Sequence, residues 1–215
     1  MDQRRSIQVQ LHAIAVVPWR ALGSCAMRVT SRPLNAYPWY LRLLFWNQRR
    51  RYGAVLAPAL LWARVPRLFL AVALFYGAIE RRTSPLNRVL RLLVMVRVSQ
   101  LNGCSFCVDL NTATLIGCGI ALQKAQALHT WRESDLFDES ERVALDYAEA
   151  MTLCERQVDD ELMERARDHF DEQMTMELTA LIAFQNMSSK FNSALDVPSQ
   201  GFCELPSGTT IPTHP

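Results

Sequence analysis

The chain has 215 residues, enough for one sizeable core and too few for two comfortable domains. Half of it is apolar and a fifth charged, which excludes extensive disorder; its 8 glycines, where average usage would give roughly 15, argue against a turn-rich β-sandwich or a glycine-loop nucleotide fold. The net charge of +2 conceals a division, because residues 1–100 carry 16 basic and 2 acidic side chains and residues 101–215 carry 7 and 19.

A basic half suits nucleic acid, but no basic stretch here is interleaved with stacking aromatics, so no nucleic-acid partner is expected. The division instead predicts halves that attract each other, within one chain or between subunits. All basic residues but Lys124 and Lys190 are arginine. Arginine suits interface ion pairs, though a genome-wide codon bias gives the same count.

In chain order, Arg4 and Arg5 precede an apolar stretch from Leu11 to Val17. The stretch contains His12 and ends at Pro18 and Trp19, unlike a secretory signal. Residues 1–34 therefore read as a poorly ordered extension, with a second start codon at Met27. Residues 35–195 read as one helical domain and 196–215 as a tail that is mobile or draped on a partner. Trp39, Tyr40, Phe45 and Trp46 beside Arg49, Arg50 and Arg51 fit a core-facing helix with an arginine rim better than a helix lying on a membrane. The apolar region from Tyr52 to Ile79 is cut by Arg64 and Arg67 into uncharged runs of 12 residues, short of the roughly 20 a bilayer needs. No transmembrane segment and a cytoplasmic location are expected.

Ser84-Pro85 predicts a helix start, and Leu86 to Leu101 holds ten aliphatic or methionine residues distributed nearly all round the helix. Asn102-Gly103 breaks it, and a second helix opens at the cysteines and runs to about Ile116. Asp138 with Glu141 predicts a capping box. Asp159 or Asp160 caps the next helix, and Asp171 the last, which carries Met174, Leu178, Leu181, Ile182, Phe184, Met187 and Phe191. No alternating strand pattern occurs, so the expected fold class is all-α.

Of six cysteines, Cys118 and Cys154 read as core thiols, and Cys25 and Cys203 lie in the terminal segments. Cys104-Ser105-Phe106-Cys107 differs. The pair follows a helix break and opens a new helix, where backbone amides stabilise a thiolate and a thiol three residues away can resolve a sulfenic acid. Two inert half-buried thiols are the plainer alternative. Zinc wants three or four ligands, and no second pair or nearby histidine completes a set, so no metal is expected. His129 and His169 read as surface or capping residues.

The segment Arg97-Val-Ser-Gln-Leu-Asn-Gly-Cys-Ser-Phe-Cys-Val-Asp-Leu-Asn111 resembles the carboxymuconolactone decarboxylase family, and more narrowly its alkyl hydroperoxidase D-like branch. The resemblance continues in His129-Thr-Trp-Arg-Glu-Ser, in Glu141-Arg-Val-Ala-Leu and from Glu177 to Leu195. It implies an all-helical homo-oligomer, trimer or hexamer, that reduces small hydroperoxides with no cofactor beyond a dithiol or lipoyl-type reductant. By that resemblance Cys107 is the activated thiol and Cys104 its disulfide partner. The family's histidine, four residues after the second cysteine, is Asn111 here, and its glutamate, twelve before the first, is Leu92. Asparagine cannot act as a base near neutral pH. Arg97 is a candidate source of positive charge, and Asp109 is expected on another face. The expected activity is therefore a slow thiol peroxidase; a non-catalytic oligomeric relative and a decarboxylase-like lyase are the alternatives. The apolar stretch Val55–Ile79 and the all-round apolar helix also predict self-association.

Overall fold

The computed structural model describes residues 27–203. Its elements are α1 (Trp39–Tyr52), α2 (Ala57–Trp62), α3 (Pro66–Ile79), α4 (Arg88–Leu101), α5 (Ser105–Gly117), α6 (Leu122–Ala127), a 3-10 segment (Leu128–Glu133), α7 (Glu139–Thr152), α8 (Asp160–Arg167) and α9 (Glu172–Ala194). No strand occurs among the described residues. The Cys25 segment and the whole of residues 1–26, with the signal-like stretch, lie outside them.

Helix α4 is the axis, buried without interruption from Leu90 to Gln100. One face (Leu90, Val94, Val98) packs on α7, α8 and α9 through Val143, Tyr147, Leu162, Leu178 and Ile182. The opposite face (Leu92, Leu93, Val96) packs on Leu115, Leu128, Trp131, Phe137 and Leu145. An apolar pattern distributed all round a helix needs two such cores, and each aliphatic side chain buried contributes about 1.5–3 kcal/mol. The chain therefore covers α4 by itself. The apolar surface that stays exposed lies on α1 (Trp39, Leu43, Trp46) and α3 (Leu68, Leu74, Phe75). Within α1 only Leu41 and Phe45 face the core, so Trp39 and Trp46 depart from the expected core-facing pattern. No described helix is long and apolar enough to cross a membrane.

Caps follow local chemistry. Asp138 and Glu141 form the capping box of α7, Asp159 caps α8 at Leu162 N, and Asp171 caps α9 at Met174 N. Helix α4 starts later than Ser84-Pro85 predicts: its cap is Asn87, whose side chain accepts from Val89 N at 2.7 Å. Asparagine caps as well as serine does, and the Ser84 hydroxyl is engaged elsewhere, donating to Glu177 at 2.6 Å.

Within the chain, Arg81–Glu177 and Arg97–Glu149 join the two charged halves. The acidic half mostly neutralises itself, with Arg132 and Arg156 on both Asp146 and Glu149, and Arg165 on Asp146. Burial alone would raise the Glu149 carboxyl; hydrogen bonds from Trp131 and Arg132, with Arg97 beside it, outweigh burial and hold it below the usual range. Asp146 is held down in the same way by Arg165 and Arg156 against its burial.

The described part of the C-terminal segment does not extend away. Ser199 Oγ and the backbone N–H groups of Gln200, Phe202 and Cys203 all donate to the Asp109 carboxylate on α5, at 2.7–3.2 Å. A buried carboxylate needs several donors, and this segment supplies them.

Candidate active site

The end of α4 delivers the first cysteine. Gly103 takes φ +61°, Gly103 N donates to Gln100 O and Cys104 N to Ser99 O, both at 3.0 Å. This paired closure requires a left-handed residue, which Asn102-Gly103 supplies. Cys104 then caps α5, its Sγ accepting from Cys107 N at 3.2 Å. The two cysteines stand 5.3 Å apart at Cα and are joined as a disulfide.

Both cysteines are buried in one apolar cluster with Leu61, Phe106 and Val197, and they differ in what else they face. Cys107 lies in the wall of a cavity of about 290 Å³ between α1–α3, α5 and α9. Trp62, Phe69, Met95 and Phe184 supply much of its apolar lining, and Asn111, Gln185, Ser188 and Asn192 its inner polar groups. Trp62 is fixed by stacking on Phe191, with ring centroids 3.7 Å apart. Burial pushes the Tyr76 hydroxyl in this wall well above its ordinary pKa, with Tyr52 and Glu80 adding to the effect, so it stays a neutral donor.

Asn192 is the residue sequence reasoning missed. From α9 its Nδ2 donates to Cys107 Sγ at 3.2 Å, while its Oδ1 is buried with no partner among the described residues. It is 85 positions away, and no local pattern marks it. Asn111 and Leu92, the two altered positions, are brought together: both line a second chamber of about 150 Å³ that shares Asn111 with the first. Among the described residues, no Asp, Glu or His lines the larger cavity.

Other candidates resolve away from the sulfurs. Arg97 does not supply charge to the cysteines, because its Nε and a terminal nitrogen both pair with Glu149 at 2.7 Å. Asp109 faces the C-terminal segment, as the helical register requires. His129 is exposed with Nδ1 2.6 Å from Gln126 O, and His169 is exposed beside Phe170. Cys154 is exposed and Cys118 half-buried, so neither is a fully buried core thiol; Cys154 follows α7 in a turn. Burial raises the Cys203 thiol, and the Asp109 charge adds to that. No group of three or more His, Cys, Asp or Glu among the described residues could hold a metal.

The sequence model of the carboxymuconolactone decarboxylase family matches residues 54–150. The uncharacterized protein YnjA of Escherichia coli (strain K12) is 45% identical over 174 residues, covering 81% of this chain and 96% of that one. Among solved structures, an alkylhydroperoxidase AhpD core, an uncharacterized peroxidase-related protein from Ralstonia eutropha JMP134, superposes with TM-score 0.76 at 22% identity, covering 83% of this chain and 95% of that one. The debrominase Bmp8 superposes with TM-score 0.71 at 21% identity, covering 81% and 92%.

Proposed function

This chain belongs to the carboxymuconolactone decarboxylase family, and we propose that it reduces hydroperoxides through a dithiol–disulfide cycle of Cys104 and Cys107. The observation that carries this reading is that the bonded cysteines share one apolar cluster and that Cys107, alone of the two, also lines an apolar cavity. The Cys107 thiolate attacks the distal peroxide oxygen. The O–O bond breaks, and the alkoxide leaves as an alcohol with a proton. Cys107 is left as a sulfenic acid. The Cys104 thiol attacks that sulfur, the S–S bond forms, and water departs. A dithiol or lipoyl-type reductant, reaching Cys107 by the same cavity, returns both thiols and becomes the disulfide.

The cycle is slow. A positioned base contributes roughly 10²–10⁴-fold, and Asn111 with Leu92 supplies none. A free thiol of pKa about 8.5 is a few per cent ionised at neutral pH, and the start of α5 with the Asn192 amide adds to that fraction. The Ralstonia neighbour's peroxidase-related description supports the same chemistry. The test is hydroperoxide consumption with a dithiol reductant, unaltered protein against Cys107→Ser. Turnover that vanishes in the variant is expected. No turnover in either protein would replace this reading with that of a non-catalytic oligomeric relative.

One observation favours a second substrate. Bmp8, with one cysteine replaced by alanine, has been solved with 2,3,4-tribromopyrrole. The cavity here, walled by Trp62, Phe69 and Phe184, is suited to a flat ring. Thiol-dependent bromide release from a bromopyrrole would move the proposal to reductive dehalogenation at the same sulfur.

A further inference from the structure

We propose that the substrate is an amphiphile with one anionic head, held by an arginine groove at the outer end of the channel that leads to Cys107. The proposal rests on Cys107 being the reacting sulfur and names the class of molecule that reaches it.

The groove lies at the start of α4, where Arg51, Arg82, Arg88 and Arg91 line an open volume of about 900 Å³ in which Glu80 is the sole acid. Arg51, Arg82 and Arg88 have no carboxylate partner among the described residues, and Arg91 reaches Glu80 only at 3.6 Å. Arg91 is 5% exposed, and its Nε is buried without a hydrogen-bond partner. A positive excess of three charges converging on one concavity attracts an anion, and guanidinium forks match carboxylate or phosphate oxygens in pairs.

The groove adjoins the cysteine cavity by way of the smaller chamber, with which each has walls in common. It shares Arg51, Glu80 and Arg88 with the smaller chamber. The smaller chamber shares Tyr52, Tyr76, Met95, Leu110 and Asn111 with the larger one. Stripes of the lining run parallel to two helices: Arg88, Leu92 and Met95 on α4, and Cys107, Asn111 and Thr114 on α5. Each stripe covers about seven helical steps, roughly 10 Å at the helical rise. The head therefore sits roughly 10 Å from the level of the sulfur. The passage carries an apolar strip, Leu92, Met95 and Leu110, beside polar side chains that include Tyr52, Tyr76, Asn111 and Thr114, and the larger cavity beyond it, walled by Trp62, Phe69 and Phe184, suits an acyl or aryl body.

Isothermal titration of the full chain in its disulfide form with decanoate, decyl phosphate and decanamide tests this without any redox step. At least one anion is expected to bind tenfold or more tightly than decanamide, and the tighter anion identifies the head. Arg51→Gln with Arg88→Gln, both at exposed positions, should remove at least tenfold of that affinity and leave decanamide binding alone. A melting temperature within a degree or two of the parent's establishes that the variant is folded; if the double variant fails this, each single substitution is titrated instead. Equal affinities for anion and amide, binding unaffected by the substitutions, or no binding by any of the three would overturn the proposal. Because no peroxide is involved, failure here is separable from failure of the peroxidase reading, which the Cys107→Ser comparison decides.

Discussion

The Asn192 amide donates to the sulfur of Cys107 at 3.2 Å, across the 85 residues that separate α9 from α5. Among the described residues no acid or histidine lines the cavity, and this is the one side-chain hydrogen bond to the Cys107 sulfur. A hydrogen bond to a charged group contributes about 1.5–3 kcal/mol, and each pKa unit is 1.36 kcal/mol. Replacing Asn192 with Ala should therefore slow alkylation of the reduced Cys107 at neutral pH. Iodoacetamide alkylation rates of the reduced parent and variant measure it. An unchanged rate would show that the amide only packs.

Asn111→His is expected to speed peroxide turnover at neutral pH, because the substituted position lies one helical turn from Cys107 in the wall of the same cavity. The gain should fall short of the roughly 10²–10⁴-fold that an oriented base provides, since Leu92 cannot orient the imidazole. Adding Leu92→Glu should raise the rate further while lowering stability, because Leu92 is buried in the core around Trp131. Steady-state kinetics of the single and double variants, with urea titrations, separate the two effects.

The parts of this site that are legible in the sequence are those set by local chemistry. Asn102-Gly103 announces a left-handed turn, the two cysteines bracket a helix start, and Asp138, Asp159 and Asp171 mark the caps. What spacing within one segment cannot reveal is which distant helix faces the sulfur. Asn192 sits in a stretch that reads only as helix, and the groove joins Arg51 to Arg88 across the segment that holds α2 and α3. Composition counts charges without placing them: Asp146 and Glu149 stand one turn apart on α7, where Arg132, Arg156 and Arg165 of their own half join Arg97 of the basic half around them.

Gly103 is required for its backbone. An Ala at φ +61° pays roughly 1–2 kcal/mol for the left-handed conformation and strains the closure that places Cys104. Gly103→Ala should lower the urea midpoint by a corresponding amount, whereas Gly103→Asn, better tolerated in that region, should lower it less. Equal losses for both would mean that the turn relaxes to another form.

The Asp146–Glu149 cluster predicts acid sensitivity. Both carboxyls are held below their ordinary values by the arginines around them, against the opposing effect of burial. A group with a depressed folded-state pKa contributes stability that is complete above its unfolded value, about 3.9 for Asp and 4.3 for Glu, and that is lost as pH falls through the folded value. The unfolding free energy should therefore be flat from neutral pH down to about 5 and decline below about 4. Glu149→Gln should flatten that decline. It should also cost about 3 kcal/mol at pH 7, because Arg97 is left buried without its partner. Urea titrations at successive pH values read both effects.

Asp109 clamps the C-terminal segment over the back of Cys104, and the same carboxylate raises the Cys203 thiol. Asp109→Ala removes four acceptor contacts at once, so the amides of Gln200, Phe202 and Cys203 should exchange with solvent faster. The Cys203 thiol should also be alkylated faster at pH 8, since both burial and the negative charge that oppose its ionisation are relieved. Asp109→Asn separates these causes: it keeps an acceptor oxygen for part of the segment while removing the charge. Faster alkylation in the asparagine variant with little change in amide exchange would assign the effect to charge. Parallel acceleration of both would assign it to release of the segment. If neither variant alters alkylation, Asp109 has no part in shielding Cys203, and the packing of Val197 and Phe202 against the Cys104 cluster holds the segment by itself.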